Sequence, residues 1–231
     1  MKYKHLFFDL DHTLWDFERN SSESLEDIFH QLSLADHGVY SMELFIKSFI
    51  RINTKLWEDF DQGKFHHSYI RQNRFLMVFD ELGIKCPENH LEIGELYLNT
   101  LPGKKHLLEG ALETLSYAKS AGYQMHIVTN GFTEIQARKI ASSGISHYFE
   151  NVVTFENANA KKPEPAIFAY AVQQANASPD DCIMIGDNWI ADILGASGFG
   201  LDTVYYNPAG LIFDQKPTYD IRNLEELKLI L

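Results

Sequence analysis

His5-Leu6-Phe7-Phe8-Asp9-Leu10-Asp11-His12-Thr13 reads as a buried strand that runs into two acids. The apolar half has the look of a central parallel strand, covered on both faces and lacking the polar alternation of an exposed sheet. Residues i and i+2 of a strand project to one face, so Asp9 and Asp11 are expected to point into the same pocket. His12 alternates away from them and reads as a loop or gating residue. Two neighbouring carboxylates repel each other, and a phosphate dianion would add about 4 kcal/mol per charge pair at 4 Å in an effective dielectric near 20. Such a cluster calls for a cation, and Mg²⁺ suits it: a hard ion that takes one or two carboxylates, retained waters and a phosphate oxygen.

Three further segments repeat the pattern. Val128-Thr129-Asn130-Gly131 and Gly186-Asp187, the latter followed by Asp192, close apolar β-branched runs, and Lys162-Pro163 lies between them. In an open α/β sheet the carboxyl ends of the strands form the binding crevice, so residues far apart in sequence can meet there. Asp187 can supply a second carboxylate and Lys162 a fixed positive charge. Taken singly, each segment is ordinary: Asp-x-Asp-x-Thr is often a turn or cap, and Thr-Asn-Gly or Gly-Asp is common turn punctuation. Together, and in this order, they describe a phosphoryl-transfer site.

The rest of the chain alternates strands with helices. Strands are expected near 4–10, 123–129, 151–155, 181–186 and 202–206, with a weaker one at 219–222. Between them, Ala111 to Ala121 places Leu112, Leu115 and Ala118 at helical spacing. Thr133 with Gln136 reads as a capping box opening a helix. Pro165 suits the first turn of a helix carrying Ile167, Phe168, Ala171, Val172 and Ala175 on one face. Gly83, Gly122, Gly144 and Gly198 each follow a helical run. The fold class is therefore α/β, a doubly wound parallel sheet. The first crossover breaks the pattern, because about 112 residues separate the first two strands where a βαβ unit takes about 30. The excess reads as an inserted bundle of about four helices. The expected organisation is a Rossmann-like catalytic core of residues 1–16 and 103–231 and a helical cap of residues 17–102, hinged near Pro102-Gly103 and Asp16 to Asn20.

Composition narrows the function. The 231 residues are 45% hydrophobic, enough for one good core and a second small one. With 20 basic against 32 acidic residues the net charge is −12, which argues against nucleic acid and anionic membranes as partners. The expected partner is a small phosphate ester, met by a monomer or homodimer. Cys86 and Cys182 show no metal-type spacing and read as reduced thiols. No apolar run approaches a membrane span and no signal peptide is evident, so a cytoplasmic location is expected.

The order Asp-x-Asp-x-Thr, Thr-Asn-Gly, Lys-Pro, Gly-Asp-x4-Asp resembles the haloacid dehalogenase-like (HAD) superfamily over essentially the whole chain. Phe7-Phe8-Asp9-Leu10-Asp11-His12-Thr13-Leu14-Trp15-Asp16-Phe17-Glu18 and Lys161-Lys162-Pro163-Glu164-Pro165-Ala166-Ile167-Phe168 resemble, more narrowly, its pyrimidine 5′-nucleotidase branch. The resemblance implies a C1-type cap lying as a lid over the crevice. It implies Asp9 as nucleophile and Asp11 as acid and base. It implies Mg²⁺ held by Asp9, the Asp11 backbone carbonyl and Asp187. Thr129 and the backbone N–H groups of Asn130 and Gly131 would hold the phosphate, and Lys162 would neutralise it; Lys161 is the rival lysine. Thr13 and Asp192 would stand behind these, Asp192 orienting Lys162 or a metal-bound water. A nucleoside monophosphate phosphatase is the leading expectation. A sugar-phosphate phosphatase or phosphomutase is the alternative, and a 2-haloacid dehalogenase or a receiver-like signalling domain fits less well.

Substrate-reading residues are harder to find. Trp57, Phe60, Phe65, Tyr69, Arg71 and Arg74 surround the break Asp61-Gln62-Gly63-Lys64 in the insertion. An aromatic ring there could stack on a base, although aromatics at helical spacing are usually core. Trp57 and Arg71 are the candidates within the insertion, and Trp15 and Phe17 those beside the catalytic loop. The adjacent pair His66-His67 points in directions about 100° apart on a helix and is discounted as a metal site.

Overall fold

The computed structural model describes residues 2–85 and 90–231. By its internal contacts the chain forms two compact units, Met1–Phe17 with Lys105–Leu231, and Glu18–Lys104.

The first unit is built on a six-stranded, wholly parallel sheet of order β3-β2-β1-β4-β5-β6. The strands are β1 (His5–Phe8), β2 (Gln124–Thr129), β3 (Phe149–Thr154), β4 (Cys182–Gly186), β5 (Asp202–Tyr206) and β6 (Tyr219–Ile221). All six lie where the apolar runs place them. The all-apolar β1 is central because only a central strand of a doubly wound sheet is covered on both faces; its four residues are buried. Pairing in register, Phe8 with Ile127 and with Ile185, brings the carboxyl ends of three strands, one to two residues further on, to one edge. Asp9, Thr129 and Asp187 thereby become neighbours, since adjacent strands lie about 4.8 Å apart.

The second unit, inserted between β1 and β2, is helical. It carries α1 (Phe17–Gln31, whose first residue belongs to the sheet unit), α2 (Met42–Asp61), α3 (Ser68–Glu81) and α4 (His90–Thr100). Ser41 caps α2 by accepting from the Leu44 N–H. The unit has its own aromatic core, in which Phe45, Phe49, Phe75, Phe79 and Tyr97 pack ring on ring. Arg74 is buried among them, 4.6 Å from the Tyr97 ring centre, and donates to Asn53 Oδ1 at 3.0 Å.

Back in the sheet unit, the crossovers carry α5 (Ala111–Ser120), α6 (Thr133–Ser142), α7 (Phe155–Ala158), α8 (Pro165–Gln174), α9 (Gly195–Phe199) and a terminal α10 (Leu227–Ile230). Pro165 stands in the first turn of α8, and Ile167, Phe168, Ala171 and Val172 pack with Phe7, Val128 and Met184 on one face of the sheet. Three local expectations are corrected. Leu112 is exposed, because Ala111, Leu115 and Ala118 take the buried stripe of α5. Gly198 lies inside α9, and the left-handed residue ending that helix is Gly200, at φ 105°. Thr133 and Gln136 do not form a capping box: the Thr133 hydroxyl pairs with that of Thr154, and the Gln136 amide is directed elsewhere. The box in this region is made by Thr154 and Asn157 at the start of α7.

Cys182 is a buried free thiol in β4, pushed up to about 12 by burial. Cys86 lies outside the described residues.

Candidate active site

β1 ends at Phe8, so the period-two rule of a strand stops before Asp9. The loop turns at His12, which is exposed, has φ 62°, and packs its ring 4.9 Å from that of Phe17. The two acids remain close enough for the charge of Asp11 to act on Asp9, but they take different hydrogen-bond partners. Asp9 stays over the sheet, whereas the Asp11 side chain turns toward α6.

Asp9, Asp187 and Asp192 each offer an oxygen within 4.8 Å of the others. Lys162 is buried among them. Its Nζ donates to Asp9 Oδ1 at 2.6 Å, to Asp192 Oδ1 at 2.6 Å and to the Val128 carbonyl at 2.8 Å. Three acceptors fill the three donors of an ammonium. Lys161 is only half-buried. The loop bearing Lys162 is fixed by Asn130, whose side chain accepts from the Lys162 N–H at 2.8 Å and donates to its carbonyl at 2.9 Å. Lys162-Pro163 is a cis peptide bond.

Asp192 reaches Lys162 through a π-type stretch, Trp189–Leu194, a rare wide turn found frequently at functional sites. Its second oxygen accepts from the Asn188 N–H at 3.0 Å. The approach leaves no room on β4: a Cβ added at Gly186 would lie 2.3 Å from Asp192 Oδ2, so that position requires glycine. Thr13, fully buried, donates to Asp187 Oδ1 at 3.0 Å. Among the described residues, Asp9 Oδ2 and Asp187 Oδ2 have no hydrogen-bond donor.

These charges do not balance. Three carboxylates face one ammonium, and the acids hold protons more tightly than usual. Burial, reinforced by Asp192 and Asp11 and opposed by Lys162, lifts Asp9 to about 7. Burial and the neighbouring Asp9 lift Asp187 to about 6. Burial and Asp187, working against Lys162, lift Asp192 to about 6. Lys162 is shifted the other way: burial disfavours its charge, but Asp192 and Asp9 outweigh burial and hold it protonated. Such a donor set, all hard oxygens with excess negative charge and two oxygens unengaged, fits a small divalent cation.

Asp11 has other partners. Both its oxygens accept from Lys139 Nζ, at 2.7 and 2.9 Å, and Oδ2 also accepts from Gln136 Nε2 at 2.9 Å. Burial alone would raise its pKa, but Lys139 and Gln136 bring it below the usual carboxylate value. The same Gln136 amide donates to Thr129 Oγ1 at 2.7 Å, and the Gly131 N–H donates to that hydroxyl at 3.1 Å. Neither Gln136 nor Lys139 stands out in the motifs. The available signal was their place at i and i+3 on α6, on the buried face with Ile140, where an amphipathic helix ordinarily carries apolar residues.

Trp15 is fully buried, donates its indole N–H to Ser143 Oγ at 3.1 Å, and has its ring centre 4.5 Å from Lys139 Nζ. The half-buried Phe17 ring lies 5.6 Å from the same ammonium. In the helical unit, Trp57 is half-buried with its ring centre 5.6 Å from that of Phe60. Arg71 is exposed and pairs with both oxygens of Glu95 at 3.1 Å.

The family model for haloacid dehalogenase-like hydrolases matches residues 3–200. The pyrimidine 5′-nucleotidase PynA of Streptococcus pneumoniae is 32% identical over 98% of this chain and 94% of its own length. The pyrimidine 5′-nucleotidase YjjG of Escherichia coli is 29% identical over 100% and 99%. The crystal structure of the HAD-hydrolase YfnB of Bacillus subtilis bound to magnesium superimposes with a TM-score of 0.88 at 29% identity, covering 100% of this chain and 99% of that one. A parallel sheet with acids after two of its central strands, a buried lysine between Asp9 and Asp192 and a family match over most of the sequence lead to one assignment: the chain belongs to the haloacid dehalogenase-like hydrolases.

Proposed function

We propose that this hydrolase cleaves phosphate monoesters through an aspartyl-phosphate on Asp9, with Mg²⁺ as its metal and pyrimidine nucleoside 5′-monophosphates as its substrates. The observation that carries the reading is the state of the Asp9 carboxylate: one oxygen is held by Lys162 and the other has no donor among the described residues. It is a buried nucleophile fixed in direction, with a cation against it.

Asp9 attacks phosphorus, the bond to the ester oxygen breaks, and that oxygen takes a proton from Asp11, which enters this step protonated although Lys139 and Gln136 favour its charged form in the free protein. A water then attacks the phosphorus of the acyl phosphate and gives its proton to Asp11. Inorganic phosphate leaves and Asp9 is regenerated. The carboxylates of Asp9 and Asp187 and the Asp11 backbone carbonyl would hold Mg²⁺, which when bound supplies positive charge against the phosphate oxygens. The Thr129 hydroxyl and the N–H groups of Asn130 and Gly131 hold the equatorial oxygens, and Lys162 offsets the charge that grows on them, the main requirement of phosphoryl transfer. Thr13 orients Asp187, and Asp192 orients Lys162. Asp11 counts against haloacid chemistry, which needs no acid two residues beyond its nucleophile.

The nucleotide reading rests on the two nucleotidases, which this chain matches over nearly the whole of both sequences, the inserted helical unit included. We place the enzyme in the cytoplasm, with its substrates; among the described residues no helix is long and apolar enough to cross a membrane. Phosphate release measured across nucleoside monophosphates and sugar phosphates, with Mg²⁺ present, tests the proposal. Uridine or thymidine 5′-monophosphate should exceed every sugar phosphate in kcat/KM by about tenfold, or about 1.4 kcal/mol. A sugar phosphate ahead of both would overturn the nucleotide reading.

A further inference from the structure

In the sheet unit, α6 turns a polar face to the catalytic loop. Gln136 and Lys139, one helical turn apart and both buried, converge on the Asp11 carboxylate and supply all three of its side-chain hydrogen bonds described above. The single Gln136 amide nitrogen spans Asp11 Oδ2 and Thr129 Oγ1. Its two hydrogens thereby fix the distance between the proton-transfer group and a hydroxyl proposed to hold the phosphate. Serving both leaves Gln136 Oε1 buried with no partner among the described residues, the kind of unsatisfied group that calls for a functional reason. Lys139 is fixed in turn. Its ammonium lies over the faces of Trp15 and Phe17, and Trp15 is tied by its indole to Ser143, one turn further along the chain. The contacts run from helix to lysine to acid and return through the tryptophan.

We propose that Gln136 and Lys139 are positioning residues for the proton transfer to the leaving group, acting through Asp11, and that Trp15 serves to hold Lys139. The inference rests on the role given to Asp11 above. A lysine that only tied α6 to the loop would affect all substrates alike. A lysine that orients the acid matters most where the acid matters most, with a poor alkoxide leaving group.

The test compares uridine 5′-monophosphate with 4-nitrophenyl phosphate in the full-length protein. Lys139→Met keeps the packing on the two rings and removes the ion pair. It should lower kcat/KM, which reports phosphorylation of Asp9 and not the water step both substrates share, by about 10- to 100-fold on the nucleotide, part of the ~10²–10⁴ that proton transfer contributes, and by no more than about threefold on the nitrophenyl ester. Lys139→Arg should recover most of the nucleotide rate. Gln136→Met leaves the ion pair in place and should give the same substrate signature at smaller size, whether or not Lys139→Met folds well. In an Asp11→Asn background, Lys139→Met should add nothing further. Equal losses on both substrates, or losses that multiply with Asp11→Asn, would overturn the proposal. Asp11→Asn alone separates the two claims. If its kcat/KM shows no leaving-group dependence, the role of Asp11 is wrong; if it does while kcat/KM of Lys139→Met and Gln136→Met does not, only the positioning role is wrong.

Discussion

Gly131→Ala should be one of the most damaging single-methyl additions in the sheet unit, and its cost should vanish when Gln136 is shortened. A Cβ at residue 131 would lie 2.3 Å from Gln136 Nε2, 2.4 Å from Cδ and 2.7 Å from Cγ. Gln136 is fully buried, so it has no solvent to swing into. Overpacking costs about 1–3 kcal/mol. Displacing the amide loses the bond to the Asp11 carboxylate, about 1.5–3 kcal/mol, and the neutral bond to Thr129, about 1 kcal/mol. Asp11 keeps Lys139 and Thr129 keeps the Gly131 N–H, so the expected cost is about 3–5 kcal/mol. Gln136→Ala removes the amide and the colliding atoms together, and should cost about 2–4 kcal/mol by the same bookkeeping. Added to that variant, Gly131→Ala should then cost less than about 1 kcal/mol, a coupling of at least 2 kcal/mol between neighbours. Urea unfolding followed by circular dichroism, with midpoints compared at unchanged slope, measures all three. Additive costs, or a neutral Gly131→Ala, would refute the close-approach argument.

Two further outcomes follow from the charges and from the insertion. Because Asp9, Asp187 and Asp192 are raised in the folded protein from 3.8 to about 7, 6 and 6, the folded state keeps protons that the unfolded chain releases. Without metal, their contribution to stability is present at low pH and lost as pH rises through that window. A divalent cation takes the place of those protons, so the rise in Tm produced by Mg²⁺ should be larger at about pH 7.5 than at about pH 5, and Asp187→Ala should flatten the difference while abolishing turnover; an equal rise at both pH values in the parent would contradict it. In the helical unit, Trp57→Ala or Arg71→Ala should reduce nucleotide turnover more than nitrophenyl phosphate turnover, and equal losses would move base recognition to other residues.

Much of the fold was legible because its strands are apolar runs that end at chemically distinctive residues. Even the short β6 showed through Tyr219-Asp220-Ile221, which alternates between apolar and polar side chains. The insertion was legible from chain length alone, since no single crossover needs the residues between β1 and β2. The nearness of Asp9 and Asp187 followed from strand ends lying side by side. The partner each acid takes was not legible. Strand periodicity set Asp11 beside Asp9, but it carried no sign that Asp11 would pair with Lys139 while Asp9 pairs with Lys162. Gln136 misled for a related reason. Thr-x-x-Gln carries a capping signal, yet a tertiary demand from Asp11 and Thr129 claims the amide that a local cap would use. Local patterns report what a side chain can do, and only the rotation of α6 against the loop decides between its options.

The most direct test of the chemistry is intact-mass analysis of Asp11→Asn after acid quench from 4-nitrophenyl phosphate and Mg²⁺. The substitution keeps the side-chain volume and the backbone carbonyl while removing proton transfer, worth ~10²–10⁴-fold. A nitrophenolate needs no proton to leave, so Asp9 should still be phosphorylated, and the slow water step should let the phosphate adduct accumulate. Asp9→Asn should give neither turnover nor adduct, and Asp11→Asn should be nearly inactive on uridine 5′-monophosphate. A phosphate adduct that maps to Asp9 is the predicted result. Nucleotide turnover by Asp11→Asn at the parent rate, or an adduct that persists in Asp9→Asn, would contradict the mechanism.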